Sequence, residues 1–283
     1  MQRCFVPALY VAVAACSSPA DMSEDIGVEE AAAVEPAEES AQATLDRRIA
    51  AEAEAFSFSE TQGNPETSFR EFSYSWPRQV TAIAPLAAAF EKDRQALLAE
   101  QKALWAQSKE ACPEEFASCR RNFLELEWQV VADTPRFLSL SSTIATYTGG
   151  AHGNYGRSST VWDRAAEEQL DPVHFFTSLA ALEEALGAAV CDTLNAERAK
   201  RRGASVTPDP DDWSSACVPM EDAVLFLGSS DGARFDKLGV YYGPYVAGAY
   251  AEGDFEFTLP VTAAVMEAIK PASREAFAIA DWP

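Results

Sequence analysis

The sequence predicts an α+β fold with mostly antiparallel sheets and two long amphipathic helices packed against them. Three observations lead to this class. Stretches of alternating apolar and polar residues are joined by short turns, which is typical of hairpins rather than of crossover connections. Two long stretches carry apolar residues at helical spacing. Helices and groups of strands follow one another in separate blocks, as in α+β domains.

The amino terminus has the pattern of a bacterial export signal. Arg3 precedes an apolar run, residues 5–15, that is too short to span a bilayer. The letters VAAC, ending at Cys16, match the lipobox, in which the cysteine is lipidated and becomes the first residue. An ordinary signal cleaved nearby is the alternative. Ser17 follows in place of aspartate, so we expect a lipid-anchored protein of the cell envelope, on the periplasmic face of the outer membrane.

Residues 17–50 have the composition of a disordered acidic tether. They are rich in Ala, Glu, Ser and Pro and contain no aromatic residue, so they offer little apolar surface to bury. The net charge of the whole chain is -22, which favours cationic partners and argues against nucleic acid. The folded body is therefore expected to begin near residue 51.

The body opens with a strand and a long helix. In REFSYSW, Phe72, Tyr74 and Trp76 share one face by strict alternation, and a proline follows. From Pro85 the apolar residues recur at helical spacing as far as Trp105, with the proline in the first turn.

Three strands are predicted next. FLELEWQVVA and RFLSLSSTIATYT form a hairpin around the turn residues Asp133-Thr134-Pro135, and YGRSSTVWD supplies the third strand. The letters GGAHGN then fall where the chain must reverse between two strands, and their glycines permit positive φ.

The last third repeats the scheme of helix and strands. One apolar stripe predicts a single helix that starts at a Thr177 or Ser178 cap and stops at Gly203. AVLFLG and ARFDKLGVYY form a second hairpin, GDFEFTL is one more strand, and VTAAVMEAIK forms a short final helix.

Four cysteines remain in the body of this exported chain, and an even number predicts two disulfides. Of three pairings, local closure favours Cys112 with Cys119 and Cys191 with Cys217. A metal site is the poorer interpretation, because no CxxC occurs and neither histidine is near a cysteine in the chain. No metal and no cofactor are predicted.

Two stretches resemble a known bacterial domain pair, DUF4163 and DUF3298. One is YTGGAHGN, followed by Leu170 and Asp171 before an aromatic pair and a helix; the other is LGVYYGPYVAGAYAEGDFEFTLPV. The resemblance covers about residues 56–269 and implies a DUF4163-like domain, 51–160, and a DUF3298-like domain, 161–283. Related domains form the lysozyme-binding external part of an anti-sigma factor and precede the catalytic domain of a peptidoglycan deacetylase.

The resemblance implies an extracytoplasmic recognition module on a lipid tether. Its partner is expected to be a basic protein such as a lysozyme-like muramidase, or peptidoglycan; the membrane is reached only through the lipid. Tyrosine is enriched at interfaces, and the candidate binding residues lie in the two hallmark stretches. They are Tyr147, Gly149, Gly150, His152, Asn154, Tyr245 and Tyr250.

Catalysis is the alternative function, and the motifs favour it less. His152 has no neighbouring nucleophile pattern, and we predict that it fixes the turn. His174 is predicted to be a packed side chain. Glu125 and Glu127 share one side of a strand and are better explained as its solvated face than as a glycosidase pair. We predict no catalytic residue. A hydrolase or deacetylase using acidic residues, or a structural envelope protein without a small ligand, remain the alternatives.

Overall fold

The computed structural model describes residues 41–281; the predicted signal, Cys16 and residues 17–40 lie outside this range. The helices are α1 Ala41–Glu52, α2 Arg78–Thr81, α3 Ala84–Ala111, α4 Leu179–Leu186, α5 Ala189–Arg202 and α6 Ala263–Ala268. The strands are β1 Phe56–Asn64, β2 Ser68–Trp76, β3 Arg121–Asp133, β4 Phe137–Tyr147, β5 Asn154–Asp163, β6 Glu168–Leu170, β7 Val224–Gly228, β8 Lys237–Tyr242 and β9 Phe255–Pro260. The predicted α+β class is confirmed.

The strands form two sheets. The larger has six strands in the order β1 to β6, and the smaller is the meander β7-β8-β9. Neighbouring strands pair antiparallel except β2 and β3, which are parallel and are joined by the crossover through α2 and α3. The predicted hairpins, β3 with β4 and β7 with β8, are confirmed.

Helix α3 covers one face of the larger sheet. Its buried residues Leu86 and Phe90 pack into a core with the alternating ring positions of β2 and with apolar residues of β3 and β4. Phe90 meets Trp76 edge to face at 6.2 Å between ring centroids. Within residues 41–281, no helix is long and apolar enough to cross a bilayer.

The opposite face of the larger sheet packs against the smaller sheet. The pairing register of β3 shifts between Val130 and Ala132, as in a β-bulge, so these two residues point to opposite faces of the sheet. Val130 contacts the α3 core, while Ala132 belongs to a second core. Phe137 and Val161 join that second core, which also contains residues of α4, α5, α6 and the β7-β8-β9 sheet. β7 contacts β3, β4 and β5.

Several features differ from the predictions, among them the short helix α2 and the strand β6, which were not predicted. Strand β1 precedes the first predicted strand. The single helix predicted from residue 178 to Gly203 is two helices, because Gly187 has φ 54° and ψ -133° and ends α4. The predicted tether is wrong for residues 41–50, which lie in α1. The buried Asp46 of this helix bonds the Arg164 Nε at 2.9 Å, so the helix is fixed to the end of β5.

The predicted disulfides are confirmed as Cys112–Cys119 and Cys191–Cys217. The first closes the loop that leads from α3 into β3. The second fixes the start of α5 to the segment that precedes β7.

Candidate binding site

Two loops that are distant in sequence bring three rings together. The β4–β5 turn presents His152, and the β8–β9 connection presents Tyr245 and Tyr250. The His152 ring stacks on Tyr250 with 3.9 Å between centroids and 23° between planes. The ring centroids of Tyr245 and Tyr250 are 5.3 Å apart, and the Tyr245 hydroxyl is 3.3 Å from His152 Nε2. His152, Tyr245 and Tyr250 are hereafter called the ring cluster.

Hydrogen bonds fix the orientation of the His152 ring. Its Nδ1 lies 2.7 Å from the Gly153 carbonyl oxygen, which also accepts a 2.8 Å bond from the Tyr250 hydroxyl. A carbonyl only accepts, so Nδ1 carries a proton. In the neutral ring Nε2 then accepts from the Tyr245 hydroxyl. The two loops are therefore bonded to each other directly.

Other candidate residues shape the β4–β5 turn. Gly149 and Gly150 have φ of 98° and 102°, a region that L side chains rarely adopt. A Cβ on Gly149 would lie 3.1 Å from the Cα of Cys119, so the turn packs on the disulfide loop. The Tyr147 hydroxyl donates to the Gly150 carbonyl at 2.9 Å, and Asn154 starts β5. These four residues support the turn from which His152 projects.

Arginines of α5 hold the second loop. Arg202 bonds both carboxylate oxygens of Glu252, at 2.7 and 2.8 Å, and Arg201 donates to the Glu252 carbonyl. Glu252 lies in the 3-10 turn that begins at Tyr250. The guanidinium of Arg202 lowers the pKa of Glu252. The position of Tyr250 therefore depends on α5.

Tyr245 adopts an unusual backbone conformation. Its φ is 70°, in the left-handed region that disfavours bulky L residues, and the residue is 56% exposed. Such strain is retained where the surrounding structure imposes it, and it occurs frequently at ligand sites. Here the strained backbone presents a large ring to solvent beside His152 and Tyr250.

Tyr155 also neighbours the ring cluster, which the sequence did not indicate. Its ring lies edge to face with Tyr250 at 6.3 Å. Burial and the nearby Asp254 carboxylate raise the pKa of Tyr155. Its only sequence signal is its place beside GGAHGN, one position after Asn154, where β-strand alternation does not distinguish it from a core residue.

The remaining predicted positions lie apart from this cluster. Glu125 and Glu127 are exposed on β3, as predicted. The prediction for His174 is wrong: it is exposed in the 3-10 helix Pro172–Phe175, where its ring meets Phe175 edge to face at 6.3 Å. Among residues 41–281, no three His, Cys, Asp or Glu side chains are placed to hold a metal ion.

A family model matches part of this chain, and solved structures align with most of it at low identity. Residues 35–155 match the family model described as deacetylase PdaC. The predicted resemblance is confirmed. The chain matches no curated protein sequence. A DUF3298 family structure from Bacteroides fragilis aligns at 16% identity and TM-score 0.46, over 77% of this chain and 93% of that one. A DUF3298 family protein from Pseudomonas aeruginosa aligns at 14% identity and TM-score 0.41, over 80% and 96%.

Proposed function

We propose that this chain is a non-catalytic binding module of the bacterial cell envelope, lipid-anchored on the periplasmic face of the outer membrane. The observation that carries the binding role is the ring cluster, in which the exposed rings of His152 and Tyr245, from two distant loops, converge on the half-buried Tyr250. The match of residues 35–155 to a deacetylase family supports an envelope setting. The export pattern and Cys16 support the lipid anchor.

The surroundings of His152 favour binding over catalysis. Its two ring nitrogens contact a backbone carbonyl and a tyrosine hydroxyl. A catalytic histidine is typically oriented by a carboxylate and faces a nucleophile. Within the described residues, no carboxylate bonds to this ring. The same contacts hold the ring flat against Tyr250, which suits a contact surface.

A basic protein, such as a lysozyme-like muramidase, is the first candidate partner. The chain carries a net charge of -22, and complementary charge accelerates encounter and adds specificity. Tyr245 supplies an exposed ring of the kind that dominates binding energy at interfaces. Affinity for such a partner should decrease as salt screens the charges.

Wall glycan is the second candidate, favoured by the exposed face of Tyr245. Sugars present apolar C–H faces that pack against aromatic rings, while hydroxyls bond to groups at the rim. The glycan would contact the ring cluster from the solvent side. Contacts between aromatic rings and uncharged sugar faces are not screened by salt, so binding to wall glycan should not weaken as salt rises, which separates the two candidates.

The test measures binding of the full chain to a basic muramidase and to purified peptidoglycan, each at low and high salt. Tyr245→Gly removes the exposed ring without keeping a strained backbone. We expect it to weaken binding of the true partner at least tenfold, since central interface tyrosines contribute about 2 kcal/mol or more.

The matched control is Trp213→Ala. Trp213 is 58% exposed, close to the 56% of Tyr245, but lies in the loop between α5 and β7. Equal loss in both variants, or no binding of either partner at low salt, would overturn the proposal. Turnover of peptidoglycan fragments that disappears in Glu125→Gln, Glu127→Gln or His152→Ala would instead support the enzyme alternative.

A further inference from the structure

A cleft lies apart from the ring cluster, where the β3–β4 turn and the end of β5 meet two 3-10 helices, Pro172–Phe175 and Pro271–Ala276. Its volume is about 460 Å³, within the range of small-molecule sites. Phe137 and Phe175 form an apolar part of the lining and meet edge to face at 5.1 Å. The side chains at the cleft are therefore both apolar and charged.

Arg136 is held rigidly in this cleft. Its Nε and Nη2 bond the Asp163 carboxylate at distances of 2.7 to 3.2 Å, and its guanidinium lies 4.9 Å from the centre of the Phe137 ring. Asp163 is only 3% exposed and also accepts backbone bonds from Ala165 and Ala166. Fixing an arginine in advance lowers the entropic cost of binding to it.

One edge of that guanidinium remains available. Asp163 occupies the Nε and Nη2 side, and within residues 41–281 no acceptor bonds to Nη1. The Arg136 side chain is 53% exposed. The edge formed by Nη1 and the second Nη2 proton matches the two oxygens of a carboxylate. The cleft thus contains a prepared contact for a carboxylate.

The other charged side chains of the cleft restrict which carboxylate-bearing molecules can bind there. Glu168 and Glu275 line the same cleft, and both are exposed. Together with Asp163 they outnumber the two basic side chains of the lining, Arg136 and the exposed His174, so a simple anion is repelled. A ligand that carries an ammonium as well as a carboxylate satisfies both signs. The small walls formed by Ala165, Ala166 and neighbouring alanines leave room for short side chains.

We propose that this cleft binds the carboxyl-terminal end of a short zwitterionic peptide with small side chains. The terminal carboxylate bonds the free edge of Arg136. The ammonium lies toward Glu168 and Glu275, and the small side chains pack against the wall formed by Ala165 and Ala166. The site is separate from the ring cluster, so it stands or falls independently of the proposed function.

The test titrates the full chain with trialanine and follows backbone amide resonances by NMR. Free trialanine should shift the resonances of Ala165, Ala166 and Glu168 and leave those of the β8–β9 connection unchanged. Its C-terminal amide and its N-acetyl form should each bind about tenfold more weakly or worse, since a charged hydrogen bond contributes about 1.5–3 kcal/mol.

Arg136→Gln should weaken binding of the free peptide by a similar factor. Arg157→Gln is the matched control, because the Arg157 side chain is 30% exposed and ion-paired to Glu256 at 3.2 Å but does not line the cleft. If Arg136→Gln does not fold, the proposal is tested by comparing free trialanine with its amide and N-acetyl forms on the unaltered chain. Absence of shifts with trialanine, equal binding of the amide, or equal binding by a folded Arg136→Gln would overturn the proposal.

Discussion

Tyr245 is the residue at which the proposed binding role carries a cost in backbone conformation. A non-glycine residue at φ 70° stores about 1–3 kcal/mol of strain. In Tyr245→Gly the relief of that strain is offset by the larger entropy of glycine in the unfolded chain and by loss of the contact with Tyr250. We therefore expect the free energy of unfolding to change by no more than about 1 kcal/mol, measured by urea denaturation.

Tyr250→Ala is the comparison for that prediction. It removes the hydrogen bond to the Gly153 carbonyl and the stack on His152, so it should lower stability by about 1–2 kcal/mol. If Tyr245→Gly destabilised the chain more than Tyr250→Ala, the exposed ring would be part of the scaffold rather than a contact for a partner.

The single residue Asp163 makes the free energy of unfolding depend on pH. Burial raises its pKa, but the Arg136 guanidinium and the N–H groups of Ala165 and Ala166 together bring that pKa below the ordinary 3.8. A carboxyl whose folded pKa is lowered stabilises the fold fully above its unfolded pKa. That contribution is lost as pH falls through the folded value.

Asp163→Asn should therefore lower the free energy of unfolding by about 2 kcal/mol at neutral pH, and the difference should shrink below pH 3.8. Urea denaturation at several pH values measures it. Glu168→Gln, which removes an exposed negative charge near the same cleft, is the control. If the difference in free energy of unfolding between the unaltered chain and Asp163→Asn stayed constant down to the most acidic pH, the ion pair would not stabilise the fold.

Helix α1 is the element in which local sequence and tertiary contact disagree. Its composition predicts disorder, yet Asp46 is 5% exposed and pairs with Arg164, which also bonds Asp133 and the Thr134 carbonyl, each at 2.8 Å. Among residues 41–281, removing Asp46 leaves the buried Arg164 guanidinium with Asp133 as its remaining carboxylate partner, so part of its charge becomes uncompensated. Asp46→Ala should lower the free energy of unfolding by about 3 kcal/mol, measured by urea denaturation.

Arg48→Ala tests the same helix from its exposed side. It should change stability by less than about 0.5 kcal/mol. If both variants behaved alike, α1 would be detached in solution and the shorter predicted body, starting at residue 51, would be correct.

Strong periodic signals made most elements predictable. The alternation in β2 and the stripe of α3 are dictated by one buried face each, so the sequence displays them. The pattern of β1 is clear only at Phe56 and Phe58 before polar residues follow, and its edge position leaves most of the strand exposed. The break at Gly187 was not predictable, because the apolar stripe continues across this residue although the helix ends there.

The candidate site could be predicted only in pieces. GGAHGN and the tyrosine-rich loop each stand out in the sequence, but His152 and Tyr245 are 93 residues apart. Their contact depends on how the smaller sheet packs against the larger, which no local pattern encodes. The same applies to the Arg136 cleft, whose lining comes from five separate segments of the chain. Long-range packing, rather than local propensity, brings together the residues of both candidate sites.

At the scale of the whole molecule, each loop of the ring cluster is supported by its own disulfide. The turn that carries His152 packs on Cys119, and α5, which holds Glu252 and so positions Tyr250, is tied by Cys191–Cys217. In α5, the buried Arg198 also bonds the carbonyls of Ala247 and Ala216, at 2.9 and 2.8 Å, so this helix connects the disulfide to the tyrosine loop.

Replacing Cys191 and Cys217 together by Ser should lower the free energy of unfolding by about 3.5 kcal/mol. Replacing Cys112 and Cys119 should lower it by about 2.4 kcal/mol, because the closed segments span 26 and 7 residues and chain entropy grows with their length. Urea denaturation of each double variant measures this order.

Because each bridge supports one loop, both variants should also bind the partner proposed for the ring cluster more weakly at a temperature where they remain folded. Full binding by a folded variant that lacks both bridges would show that the sheets alone position the rings, and that the disulfides serve only the stability of the fold.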